Sequence, residues 1–395
     1  MMQKKKKGGR RGEGRLSSAI FGTVSVAVFF LIIKDSELAI DYMNKGMKLC
    51  VNTVIPSLFP FMVVSELIVS SGAADILGRA FGGVFRALFG ISSEGGSAYL
   101  LGTVCGFPVG CRSALSLYTS GRISQSDLSR LICFSNNPSS AFIISAVGGT
   151  LFGCRAFGVA LWCITLLSSL IMGVLHKLLC LGDDEKYGVH SLKEAEDRLG
   201  FSEEKEIVGQ KREGIVSFSY AVTSAATAML GVCAFIIFFS VFTGLADNVL
   251  VKLGASQGVR AWVLSFFELT GGVASAAGVK PVLLAALIAS FGVGWSGISV
   301  HLQVASFCDG VKIEFGRYVA SKFIQGVLNV LMTYLYLCFF GDRLSFDSKS
   351  VAAFESISVE GGELGTFVSA VFFSVLLVNF FSLVKRHISS QKCSR

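Results

Sequence analysis

Apolar segments recur along the chain near 16–33, 49–70, 97–118, 131–150, 154–181, 216–246, 259–308, 318–340 and 366–384. Most are long enough to cross a bilayer as helices, because a span needs about 20 residues at 1.5 Å each. Polar stretches separate them at 182–214 (GDDEKYGVHSLKEAEDRLGFSEEKEIVGQKREG), at 341–365 and after 385. The first reads as a solvated, partly helical loop. The second is poor in basic residues, and the third is a basic tail. The pattern predicts an all-α polytopic membrane protein with about eight transmembrane helices.

Composition agrees. Of 395 residues, 52% are hydrophobic and 16% charged, with a mean hydropathy of +0.65. Soluble domains carry about 25% charge. The net charge of +8 does not point to nucleic acid, because Lys4 to Lys7, Arg10, Arg11 and Arg15 crowd the N-terminus. That cluster is a topology signal that stays in the cytoplasm. The segment 16–33 ends in IIKDSE without a small-residue cleavage site, so it reads as an uncleaved helix. Basic residues at both ends place both termini inside. The expected organisation is a basic N-terminus (1–15), a first helix (16–33), a membrane repeat (49–181), a cytoplasmic loop (182–214), a second repeat (215–340), an outside loop (341–365), a last helix (366–384) and the tail (385–395).

The two repeats are visible as a weak likeness. VNTVIPSLFPFMVVSELIVSSGAADILG (51–78) parallels TSAATAMLGVCAFIIFFSVFTGLADNVL (223–250), each closing on an alanine–aspartate pair, Ala74–Asp75 and Ala246–Asp247. With the 182–214 loop inside, each half crosses an odd number of times, so the repeats are inverted, the common plan of secondary transporters.

Within the apolar segments the backbone is repeatedly interrupted. The prolines are Pro56, Pro60, Pro108, Pro138 and Pro281. Proline removes a helical hydrogen bond, and in lipid each unpaired backbone group costs several kcal/mol. Such breaks belong inside protein or beside a watery cavity. GFPVGCR (106–112) and CFSNNPSS (133–140) interrupt the first half; FELTGG (267–272) and SFGVGWSGISVHLQ (290–303) interrupt the second. Half-helix N-termini at breaks expose N–H groups that bind anionic or polar groups, and unwound carbonyls bind cations or donors. The candidate substrate residues are therefore Gly106, Pro108, Gly110, Arg112, Asn136, Asn137, Thr270, Gly271, Gly294, Ser296 and Gln303. Glu66 and Glu268 are candidates for coupling ions or protons, since an ionisable group in a membrane helix needs a reason. His301 reads as a packing residue and Lys280 as a helix start at an interface.

Other chemistry is absent from the sequence. There is no Walker A motif, no G-x-S-x-G and no H-E-x-x-H. The eleven cysteines form no CxxC pair and the four histidines are dispersed, so neither metal nor cofactor is expected. The polar candidates sit at breaks rather than in a nucleophile–base array, so an enzyme is not expected. The expected partners are the lipid bilayer and a small anionic substrate.

Several stretches carry a resemblance. LFPFMVVSELIVSSG, GFPVGCRSA, GRIS, LSRLICFSNNPSSAFIISAVGGTLFG and ASFGVGWSGISVHLQV, in that order, resemble the YlbJ/SpoVV sporulation integral membrane proteins, within the wider nucleoside-recognition or Gate-domain group. The family pattern at the first break is close to SGYPSGAK. Here Cys105, Phe107, Val109, Cys111 and Arg112 replace its serine, tyrosine, second serine, alanine and lysine, while the glycines and proline stand. The resemblance implies a protein of endospore formers in the mother-cell or outer forespore membrane, moving dipicolinic acid toward the forespore during spore maturation. Dipicolinate is a flat dianion that half-helix N-termini and Arg112 could receive. Two other readings stand beside it. One is a non-transporting scaffold for other sporulation membrane proteins, acting through the 182–214 loop; the other is a nucleoside transporter.

Overall fold

A computed structural model describes residues 22–23, 25–70, 82–179, 214–341 and 344. The basic N-terminus, the start of the 16–33 helix, Ala74–Asp75, nearly all of the 182–214 and 341–365 loops, the 366–384 helix and the tail lie outside the described residues. So does the placement of the termini.

The described residues are helical throughout, without a strand. Helix α1 (Ser25–Lys34) precedes α2 (Ser36–Leu49), which passes through a π-helical turn, Cys50–Val54, into α3 (Ile55–Ser70). Then come α4 (Ser93–Cys105), α5 (Val109–Thr119), α6 (Gln125–Ser135), the π-helix α7 (Phe142–Leu151) and α8 (Arg155–Leu179). The second half holds α9 (Gly214–Lys252), α10 (Gln257–Phe267), α11 (Leu269–Ala277), α12 (Val282–Trp295), α13 (Gly297–Phe307) and α14 (Phe315–Phe340). Pro60 does not break the chain as its residue type suggests. It sits inside α3, where one missing donor does not end a helix.

Among the described residues, four stretches are long and apolar enough to cross a membrane: Arg155–Leu179, Phe218–Lys252, Val282–Phe307 and Phe315–Phe340. Their exposed faces carry residues such as Leu230, Leu331, Leu335 and Phe339, while polar side chains of α14 are buried. Apolar residues outward and polar residues inward is the arrangement of a helix in lipid. The protein is an all-α integral membrane protein.

The halves share an element order: a tight pair of short helices, a helix broken in the middle, then one long helix. The pairs are α4–α5 and α10–α11. At 1.5 Å per residue, α5 is about 16 Å long and α11 about 14 Å, each about half of a ~30 Å hydrocarbon core. Small residues hold each pair together. A Cβ on Gly102 would lie 2.2 Å from the Ser135 carbonyl oxygen and 2.7 Å from Gly110 Cα. One on Gly272 would lie 2.1 Å from Ser265 Cα.

Among the described residues the interior has two apolar clusters. One gathers Phe89, Tyr99 and Phe134 with residues of α2, α3 and α9. The other stacks Trp262, Phe266, Phe291 and Trp295 among α10, α12 and α14. In lipid such contacts act through close packing, so they are sensitive to added volume.

Gly102→Val and Gly272→Val should each destabilise the protein by about 1–3 kcal/mol through overpacking. Gly231→Ala, which points into open space, should leave stability unchanged or slightly higher. Thermal unfolding in detergent checks the contrast.

Candidate functional site

Each hairpin tip docks on the break of the helix that follows it. In the first half, α4 ends at Gly106, whose φ of 80° favours glycine. A Cβ there would come 2.4 Å from the Ser139 nitrogen. The next residue, Phe107, donates its backbone N–H to the Asn137 carbonyl at 2.7 Å. In the second half, Gly297 (φ 81°) lies against Glu268 and Leu269, and the Trp295 indole N–H donates to the Phe266 carbonyl at 2.8 Å. Ser296, at φ 73°, turns the chain between α12 and α13. The backbone groups freed at breaks are thus met by protein.

A cavity of about 60 Å³, room for a few waters, opens where these breaks come together. Its wall includes Phe107, Pro138, Ser139, Glu268, Thr270, Ser299 and Gln303, closed by apolar residues of the π-helical turn and of α9. The lining draws on both apolar clusters.

Of the sequence candidates, Glu268, Thr270 and Gln303 line this cavity. Glu268 is buried at the tip between α10 and α11. Its carboxylate accepts the N–H groups of Thr270 (2.9 Å) and Gly271 (2.6 Å). The half-helix N-terminus that the sequence reading offered to a substrate anion is therefore filled by the chain's own carboxylate. Gln303 is buried, and its Oε1 has no hydrogen-bond partner among the described residues.

Other candidates take structural places. Gly110 packs against the Ser135 carbonyl and Gly102, and Gly294 against Gly326 where α12 crosses α14. Pro108 caps α5. Ser296 is buried, with its hydroxyl lacking a partner among the described residues. Arg112 does not line the cavity. Its guanidinium lies 3.6 Å from Glu66 and donates to Ser224 Oγ at 2.7 Å, tying α5 to α3 and α9. Arg112 and Glu66 form an ion pair within the bundle.

Asn136 and Asn137 belong to a buried polar network behind the break. Lys322 of α14 is fully buried and donates to the Asn136 carbonyl (3.0 Å), Asn137 Oδ1 (3.3 Å) and Gln325 Oε1 (2.7 Å). Gln325 donates to Asn137 Oδ1 at 2.8 Å. Asn136 also donates to the Tyr318 hydroxyl, which contacts His301 Nδ1 at 3.0 Å. Further along, Asn329 accepts from Ser168 (2.6 Å) and donates to Thr165 (3.1 Å) on α8. Sequence reasoning missed Lys322, Gln325 and Asn329. A signal existed: Tyr318, Lys322, Gln325, Asn329 and Thr333 recur at helical spacing along one stripe of an apolar segment.

One curated protein is similar along much of the chain. The chain is 27% identical over 330 residues to the sporulation integral membrane protein YlbJ of Bacillus subtilis (strain 168), covering 77% of this chain and 80% of that protein. The chain is similar to YlbJ. No protein-family model matches it. Among solved structures, CNTnw in an outward-facing state superposes with a TM-score of 0.46 at 12% identity, covering 85% of this chain and 88% of that one. A superposition that loose fixes neither topology nor chemistry.

Glu66→Gln should strand the Arg112 guanidinium and cost about 1–3 kcal/mol. The double variant with Arg112→Gln should recover part of that loss. A double-mutant cycle on thermal stability reads the coupling.

Proposed function

We propose that this membrane protein is a secondary transporter that carries a small organic solute through the cavity at the four breaks, by alternating access of two inverted repeats. One observation carries the reading: interrupted segments from both halves of the sequence line a single cavity. Discontinuous helices meeting at a site inside the bilayer are how transporters present polar backbone to a solute. The present cavity is small, so binding an organic solute requires the hairpins to move apart, as alternating access demands.

The family resemblance makes dipicolinate the first substrate to test. The wall chemistry favours a second reading. Glu268 is the charged group among the lining residues, and Gln303 Oε1 is an unused acceptor. A solute rich in O–H and N–H donors, such as a nucleoside, meets matched acceptors there. A dianion meets a like charge and requires Glu268 to take up a proton, the coupling role expected of it from sequence.

Uptake of labelled dipicolinate and of labelled uridine into proteoliposomes separates these readings. Glu268→Gln, which mimics the protonated carboxyl, should preserve exchange of the solute but abolish its drive by a proton gradient if the solute is an anion. It should lower uptake by about tenfold or more if the solute donates to the carboxylate. No uptake of either solute under any imposed ion gradient, by folded protein, would favour the scaffold role and turn attention to 182–214.

A further inference from the structure

Lys322 presents an unusual balance of charge. It lies about two turns into a helix long and apolar enough to span a membrane and is fully buried. Among the described residues no carboxylate forms an ion pair with it. An ammonium in such a place is costly unless its three N–H donors are matched. They are matched, by three neutral oxygens: the Asn136 carbonyl, Asn137 Oδ1 and Gln325 Oε1.

The oxygens are arranged as a cation site would be. Asn136 caps the C-terminus of α6, so its carbonyl stands at the negative end of that helix. The chain is unwound there, and unwound carbonyls at half-helix C-terminal ends are ligands for monovalent cations in broken-helix transporters. Outside that set of three, Asn136 Oδ1 is buried without a hydrogen-bond partner among the described residues. Every oxygen of the set is neutral, which suits a single charge; divalent sites draw on carboxylates.

We infer that the Lys322 ammonium is a tethered cation, filling an oxygen cage at the 136–137 break that would otherwise hold a free monovalent ion. The lysine holds the break to α14 at all times. If the transport reading above is right, the cycle then needs no Na⁺ or K⁺ at this cage.

The test is thermal stability of the purified chain in NaCl, KCl or methylammonium chloride against choline chloride, whose cation is too large for the cage. The unaltered protein should unfold at the same temperature in all four salts. Lys322→Ala empties the cage and should gain a saturable dependence, with a rise of about 3 °C at a cation concentration tenfold above its Kd. Lys322→Met keeps the bulk of the stem, blocks the cage with a methyl group and should show no dependence. A saturable Na⁺ or K⁺ effect on the unaltered protein overturns the inference, as does a folded Lys322→Ala that is indifferent to every cation. If Lys322→Ala cannot be recovered in choline, recovery in one of the small cations supports the cage, and failure in all of them overturns it. The readout is binding, so a positive result stands even if neither solute is transported, and a negative one leaves the transport reading intact.

Discussion

Backbone that stops being helical inside a bilayer has no water to bond with, and the rest of this structure follows from that constraint. The chain meets it by docking each hairpin tip on a helix break. Phe107 bonds to the Asn137 carbonyl in one half, and the Trp295 indole bonds to the Phe266 carbonyl in the other. Glycine is required where the backbones touch, at Gly106 and Gly297, because a Cβ would collide or the left-handed turn would be strained. The cavity is a by-product of the same docking, since two tips and two breaks cannot fill the space among them.

Charges are handled by the same logic, each in its own way. Arg112 is met by Glu66 and a serine hydroxyl. Glu268 is met by the N–H groups of the helix it caps. Lys322 is met by neutral oxygens alone. A paired charge and a capped carboxylate can be structural. The lysine is different, because its partners come from unwound backbone and amide side chains that also set the geometry of the break. That places α14 and α8 in contact with the site through a chain of amides and hydroxyls running from Asn137 to Asn329 and Ser168. Movement of the break is therefore coupled to two long helices rather than to a loop.

The sequence by itself determined that the chain is helical and belongs in a membrane, because segment length and hydropathy are local properties. It also located most of the interruptions, since proline, glycine and asparagine weaken a helix locally, although Pro60 and the pair Gly271–Gly272 stand within helices. It singled out Glu268, Thr270 and Gln303, which the fold brings to one cavity. Tertiary structure decided the rest. Local sequence offers Arg112 to a substrate, but whether a buried charge faces a ligand or another side chain depends on elements far away in sequence, here Glu66 and Ser224. The N-terminus of α11 was open to a ligand on paper and is occupied in space by Glu268. Lys322 went unnoticed because one lysine in an apolar run looks like a helix end. Only the packing of α14 against the 136–137 break, 185 residues distant, turns it into the centre of a polar network, and such long-range contacts leave no mark on local composition.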